Sequence, residues 1–528
     1  MIAAMSRPML RTFLINRPTT KPMTRGRSAA TMKVVERSGG RIATKGEHHV
    51  PISYECIHKD AAWAGPFHDV VRGRSFQTFY TNVSLSSLLR YQNSLIVALS
   101  ASFSAMFLSF MIHSPWSNPN IYSDIGSFWI RSEIHQGLVP YFNFFFEYPP
   151  ISGYILYLAR IVGGNYNGYY SAFGVMSLVA ALVLAWSCWR VANALGTRLN
   201  PLYFFFPSLI IYGVYNFDLF NALFIILSLQ FFLEDRKDAS AAALGLSIAT
   251  KLVGVVLLPI YLLELWKLKE PKAEAPIMIR SGSQPLAGQT SKEWGAKGGG
   301  YLGRLKKASD LLKKSWSATL EWLRRNRLML EYLLITAAVV AFFFLPIAIL
   351  NFSFLHQFYA AYAGHGLEDA WYIWIFQDPH SVYAGWFGLA VTGILLLRVY
   401  TLRVSLAPRV FLGLAAYLLG ATIYSPQFNL MLIPLVIVLA IDDPSLYAWE
   451  VFNALIILTW FVGTTNPWLP GTIPQTMALL RTGSLAWLCL ALLHRSGIRP
   501  VELLPSFLRQ PSLQDFSPKP QIEQPHEG

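Results

Sequence analysis

Charged side chains are scarce in this sequence: Asp, Glu, Lys and Arg make up 14% of it, against roughly 25% in an ordinary soluble domain. That deficit excludes a water-soluble globular chain. Cysteine is scarcer still. Cys56, Cys188 and Cys489 lie far apart with no CxxC pair, which speaks against a disulfide framework and a zinc site; two of them read as membrane-core fillers. No long apolar run begins before the neighbourhood of Ser94, so no cleavable signal peptide is expected. Acids are outnumbered 29 to 43, which leaves a net charge of +14. Such a balance suits nucleic acid, but the basic residues cluster in tails and loops beside apolar runs, the positive-inside pattern of membrane proteins. No nucleic-acid partner is expected. Nor does any repeat relate the two halves, which weakens a transporter reading.

What the chain has instead is apolar length. It is 54% hydrophobic and 14% aromatic, with a mean hydropathy of +0.39. Runs of about 20 apolar residues recur, enough to cross a hydrocarbon core of ~30 Å. The reading is an all-α, polytopic transmembrane helical bundle of about twelve crossings, at 92–113, 168–190, 200–215, 217–233, 238–250, 252–266, 331–350, 382–399, 408–424, 426–441, 445–463 and 475–494. Five parts follow: a basic, largely disordered cytosolic tail (1–91), an N-terminal membrane part (92–266) with a long external loop (114–167), a basic cytosolic loop (267–330), a C-terminal membrane part (331–494) and a disordered cytosolic tail (495–528). Within the first, residues 1–46 hold ten Lys/Arg against the single acid Glu36, the composition of an organellar transit peptide or of a plain basic tail. The 267–330 loop carries fourteen Lys/Arg against five acids; 281–300 reads as a linker and 303–327 as an amphipathic helix on the anionic leaflet.

With both termini cytosolic, every basic cluster falls on one side. The opposite face then collects Asp124, Arg131, Glu133, His135 and Glu147 from the first loop, Asp218, and Lys251 at a helix break. The 351–381 loop adds His365, Glu368, Asp369, Asp378 and His380, and Ser425-Pro426-Gln427 follows. Ionisable groups at membrane depth are costly and by default functional. In this arrangement residues 150–162 dip into the membrane and return, which protein-lined cavities tolerate.

Four motifs occur in order along this face: Asp124 followed by GLVPY (137–141) and EYPPISGY (147–154); YNFDLFNALFIILSL (215–229); ALGLSIATKLVGVVLLPIYLL (243–263); and IYSPQFNLMLIPL (423–435). Together they resemble the GT-C glycosyltransferases that use polyprenyl-phosphate sugars, especially the polyprenol-phosphate-mannose-dependent mannosyltransferase-like families. The resemblance spans about residues 92–465. It implies a multi-pass enzyme of the plasma membrane or endoplasmic reticulum. Such an enzyme moves a hexose, mannose by the resemblance, from a polyprenyl- or dolichyl-phosphate sugar to a hydroxyl of a glycan, lipid or protein acceptor. The chain lacks the doubled acid of some relatives, having only Ser123-Asp124, so a divalent metal is doubtful and no cofactor is assigned.

Asp124 is then the candidate general base, drawing the proton from the acceptor hydroxyl; the alternative is a cap for the helix after Ile125. Glu147, extended before Pro149, is a second catalytic candidate that holds sugar hydroxyls or orients the acceptor, or else pairs with an arginine. Tyr148 beside it is a substrate contact. Lys251 is the candidate for the lipid phosphate, with snorkelling as its alternative. Arg131 and Gln427 are further phosphate- or donor-binding candidates; a water-facing arginine and a turn residue are the plain readings. Asp218 is either a sugar contact or a helix N-cap, and His365 shares a loop with Trp371, Tyr372 and Trp374 suited to covering a sugar. Asn351-Phe352-Ser353 is a glycosylation sequon at the membrane edge, read as unused. A lipid or lipid-linked-sugar flippase and a non-catalytic scaffold are the rival functions; paired broken helices with dispersed acids would favour the flippase.

Overall fold

The computed structural model describes residues 94–118, 121–131, 133–268, 314, 321, 324, 326–462 and 466–498. All belong to one compact unit, Gln77–Gly528. The expected tail at 1–91, most of the 267–330 loop with its amphipathic helix, and residues 499–528 lie outside the described residues. Among the described residues the chain is helical throughout, with no strand and two isolated bridges.

Among the described residues five helices are long and apolar enough to cross a membrane: α1 (Leu95–His113), α4 (Tyr166–Leu195), α9 (Arg327–Leu350), α12 (Val382–Thr401) and α16 (Ile473–Arg495). Their outer faces carry bare apolar side chains such as Phe342, Ile349, Val382 and Trp487, which water would penalise and lipid would not. Side-chain and glycine caps set several ends. Ser94 accepts from the Val97 amide at the start of α1, Asn165 from the Gly168 amide at the start of α4, and Gly196 closes α4 in the left-handed region at φ 66°.

The other expected crossings are shorter or split. α2 (Asp124–Arg131) and α3 (Pro150–Gly163) come from the first loop. They are followed by α5 (Pro207–Tyr212), α6 (Asp218–Leu233), α7 (Lys237–Thr250), α8 (Leu258–Lys267), α10 (Ser353–Gly364), α11 (Ile373–Phe376), α13 (Leu406–Gly420), α14 (Ile433–Val438) and α15 (Pro444–Trp460). Three predicted crossings are not single helices. The 200–215 span is a 3-10 turn, Pro201–Phe205, followed by α5; the 252–266 span is a 3-10 turn, Leu252–Leu257, followed by α8; the 426–441 span is a 3-10 turn, Pro426–Met431, followed by α14. Proline explains the splitting. Pro201, Pro207, Pro259, Pro426 and Pro434 each fall in a first turn, where the missing N–H costs nothing but where a helix from the preceding segment cannot continue.

Consecutive helices pack as neighbours, α6 on α7, α3 on α4, α12 on α13 and α15 on α16, while α4 reaches α1 and α6, and α7 reaches α9. Ion pairs join several of these segments. Among the described residues they include Arg190–Glu234, Lys267–Glu264, Arg409–Glu264, Lys251–Asp218 and His365–Glu368.

Candidate active site

Helical spacing builds the centre of this site. On α6, Asp218 and Asn221 are three residues apart and share a face; Ser247 lies in the last turn of α7, and Lys251 follows directly after the helix. The two segments meet. Ser247 donates its hydroxyl to Asn221 Oδ1 at 2.7 Å, and Lys251 forms an ion pair with Asp218. α7 stops at Thr250 because Lys251 is extended (φ −154°, ψ 124°), so the ammonium is presented at the break. Ser152, in the first turn of α3, donates to the Thr250 carbonyl at 2.8 Å, covering one of the acceptors that a helix end leaves open. The ISGY and TK motifs therefore touch.

Lys251 is 8% exposed. Its Nζ lies 3.3 Å from the centre of the Phe428 ring, well inside cation–π range. Besides Asp218, the carboxylates of Asp124 and Glu368 act on it electrostatically. One buried cation is thus paired with an acid of α6 and set against an aromatic ring of the Pro426–Met431 turn. Asp218 Oδ2 is buried with no hydrogen-bond partner among the described residues, so that pair is only half satisfied from within.

Asp124 is buried, at 2% exposure, in the first turn of α2. Its neighbour takes the capping role: Ser123 Oγ accepts from the Gly126 amide at 3.2 Å. The Asp124 oxygens accept side-chain donors, Oδ1 from the Tyr122 hydroxyl at 2.9 Å and Oδ2 from Asn216 Nδ2 at 2.7 Å. Ile125 N donates to the Tyr215 carbonyl, which ties the start of α2 to the turn before α6. For Asp218 the expected N-cap is likewise absent: α6 has no side-chain cap, and the carboxylate turns to Lys251 instead.

The remaining sequence candidates spread around this centre. Tyr148 packs edge-on against Phe217 at 4.6 Å and beside Phe128 at 5.7 Å, which joins the EYPP segment to the residue before Asp218. Glu147, one residue earlier, is half-buried. Gln427 is buried in the 3-10 turn that carries Phe428. His365 stands further out, 41% exposed, with Nε2 3.7 Å from Glu368 Oε2 and its ring 6.0 Å from that of Trp468. Arg131 closes α2, and its side chain lies outside the described residues.

Three participants were not singled out from sequence. Asn216 holds Asp124; Glu368 accepts from Ser425 Oγ at 2.6 Å and acts on Lys251; Arg481, fully buried on α16, ties the Glu368 loop to the SPQ segment. Only the placement of Glu368 on the same predicted face hinted at any of them. The sequon is occupied by structure: Asn351 Nδ2 donates to the Tyr141 carbonyl at 2.7 Å, and Ser353 Oγ donates to Asn351 Oδ1 at 2.6 Å. Among the described residues no three of His, Cys, Asp and Glu group so as to hold a metal ion.

No family profile and no curated protein matches this chain. The crystal structure of ArnT from Cupriavidus metallidurans bound to undecaprenyl phosphate is similar over 76% of this chain and 77% of its own, at 13% identity and a TM-score of 0.36, a likeness too shallow to bear on what this chain does.

Proposed function

We propose that this chain is a membrane glycosyltransferase that moves a hexose, mannose by the motif resemblance, from a polyprenyl-phosphate sugar to an acceptor hydroxyl on the external or lumenal face, with both termini cytosolic. The observation that carries the reading is the buried Lys251 ammonium, paired with Asp218, set over Phe428 and acted on by Asp124 and Glu368. A lipid-linked sugar enters from the bilayer and its phosphate meets Lys251, whose ammonium has three N–H donors and spends one on Asp218. Asp124 takes the proton of the acceptor hydroxyl as that oxygen attacks the anomeric carbon. The bond from that carbon to the phosphate oxygen breaks, the electron pair leaves with the polyprenyl phosphate, and Lys251 stabilises the charge it gains. Inversion at the anomeric carbon follows from a single displacement. Tyr122 and Asn216 each donate to one of the Asp124 oxygens, which fixes the carboxylate.

Glu147, Tyr148, His365 and Gln427 are assigned to the sugar and acceptor, Arg131 to the lipid phosphate, and no step uses a metal. The test is transfer of radiolabelled hexose from polyprenyl phosphate to a panel of glycan, lipid and protein acceptors by the purified full chain in nanodiscs. Wild type is expected to form labelled product and Asp124→Asn to lose about 10²–10⁴-fold in rate, the contribution of a positioned base. Translocation of intact lipid without sugar transfer would overturn the proposal in favour of a flippase.

A further inference from the structure

We infer that Glu368 is the carboxylate that reads the sugar of the lipid-linked donor, and that Arg481 is the residue that positions it. The inference rests on the donor being a polyprenyl-phosphate hexose, as proposed above. Ser425, which donates to Glu368, opens the 3-10 turn whose Phe428 ring lies under Lys251, so Glu368 stands on the side of the site where the phosphate, and the sugar bonded to it, would be held. Its side chain is 18% exposed and oriented from both ends, Oε1 by the Ser425 hydroxyl at 2.6 Å and Oε2 toward His365 Nε2 at 3.7 Å. A carboxylate so held keeps acceptor positions free for hydroxyl donors, the groups a hexose presents. Asp124 differs in being almost fully buried, which suits a base and not a group that surveys a ring.

The backbone around Glu368 is over-determined. Glu368 N donates to the Thr422 carbonyl at 2.9 Å, and Tyr424 N donates to the Glu368 carbonyl at 2.8 Å, which stitches the Glu368 loop to the strand-like run into Ser425. Arg481 clamps that junction from below. Its Nη2 donates to the carbonyls of Asp369 (3.2 Å) and Tyr424 (2.6 Å), its Nη1 to Asn453 Oδ1 (3.0 Å), and the guanidinium lies 3.6 Å over the Tyr424 ring. Asp369 is held at φ 54°, a left-handed backbone that a non-glycine residue keeps only under constraint. A fully buried guanidinium spent on two loop carbonyls, with no carboxylate in ion-pair contact among the described residues, is poor stabilisation and good positioning. The sequence hides this, because Glu368 and Arg481 belong to different parts of the chain.

The test compares two lipids by binding, independently of turnover: decaprenyl-phosphate mannose and bare decaprenyl phosphate, each titrated into the full chain in nanodiscs. Wild type is expected to prefer the sugar-bearing lipid. Glu368→Gln should lose about 10- to 100-fold in affinity for the sugar-bearing lipid, the worth of hydrogen bonds to a charged group, with bare-lipid binding unchanged. Ser425→Ala should lose part of that. Arg481→Gln should reproduce the selective loss, Arg481→Lys should restore some of it, and the Glu368→Gln/Arg481→Gln pair should be no worse than either alone. If Glu368→Gln binds both lipids as wild type does, the inference is overturned while the donor reading stands. An Arg481→Gln variant that weakens both lipids equally overturns its positioning role. If wild type does not distinguish the lipids, the donor reading falls and takes the inference with it.

Discussion

Lys251 and Asp218 form a pair whose partners depend on each other. Removing one member of a buried pair strands the other charge and costs about 3–5 kcal/mol, whereas removing both is often tolerated. Lys251→Met and Asp218→Asn are therefore each expected to lower thermal stability in detergent, and the double variant to lose clearly less than the sum; additive losses would show the two groups to be uncoupled. Another buried acid, Asp369, lies in the loop between α10 and α11. Burial pushes the Asp369 carboxyl up to about 8, with Glu368 adding to the rise and Arg481 opposing it. A raised acid binds its proton more tightly in the folded state, so its contribution to stability is complete below pH about 4 and lost as pH climbs through about 8. Unfolding followed from about pH 5 to about pH 9 should show that decline, and Asp369→Asn should flatten it. These roles were unevenly legible. Asp124 stands out in sequence as an acid in an aromatic loop, but Ser123 and Asp124 are both good caps, and only the fold assigns the cap to Ser123. Arg481 carried no signal, because its partners lie on α15 and in two loops far away in the chain.

At the level of elements, the first loop depends on one buried tyrosine. Tyr141 is held at φ 72°, its hydroxyl donates to the Pro149 carbonyl at 2.8 Å and accepts from the Gly153 amide at 3.0 Å, and its carbonyl receives Asn351. A Cβ on Gly153 would overlap the Tyr141 hydroxyl, which its two hydrogen bonds prevent from moving aside. Gly153→Ala is expected to cost about 1–3 kcal/mol, the usual penalty of overpacking, and to reduce transfer by displacing α3 from Thr250. Gly385→Ala on α12, with open space around its Cβ, serves as the control and should change stability little in the same melt. The long helices were readable because their apolar runs carry only isolated interruptions, such as Pro346 in α9 and Arg481 in α16. The break at Thr250-Lys251 was readable too, since an unpaired lysine there would be costly. The split spans were not, because an apolar run containing proline has the same composition as an intact crossing; only the turn at each proline reveals two pieces.

For the whole molecule the account is one of sides. Basic clusters and candidate site residues separate in the sequence, and the proposed topology puts them on opposite sides of the membrane. Single cysteines introduced at Asp235 and at His380, both exposed, in a chain with its native cysteines replaced, should react with an impermeant maleimide from opposite sides of a sealed vesicle. Reaction from the same side would break the topology on which the site was assembled. The most direct measurement is a structure of the full chain in nanodiscs with a polyprenyl-phosphate hexose bound. The account predicts the phosphate within hydrogen-bond distance of Lys251 Nζ and the Asp124 carboxylate facing the anomeric carbon across a gap that fits one acceptor hydroxyl. A phosphate held elsewhere, with the Lys251–Asp218 pair undisturbed and Asp124 remote from the sugar, would contradict it.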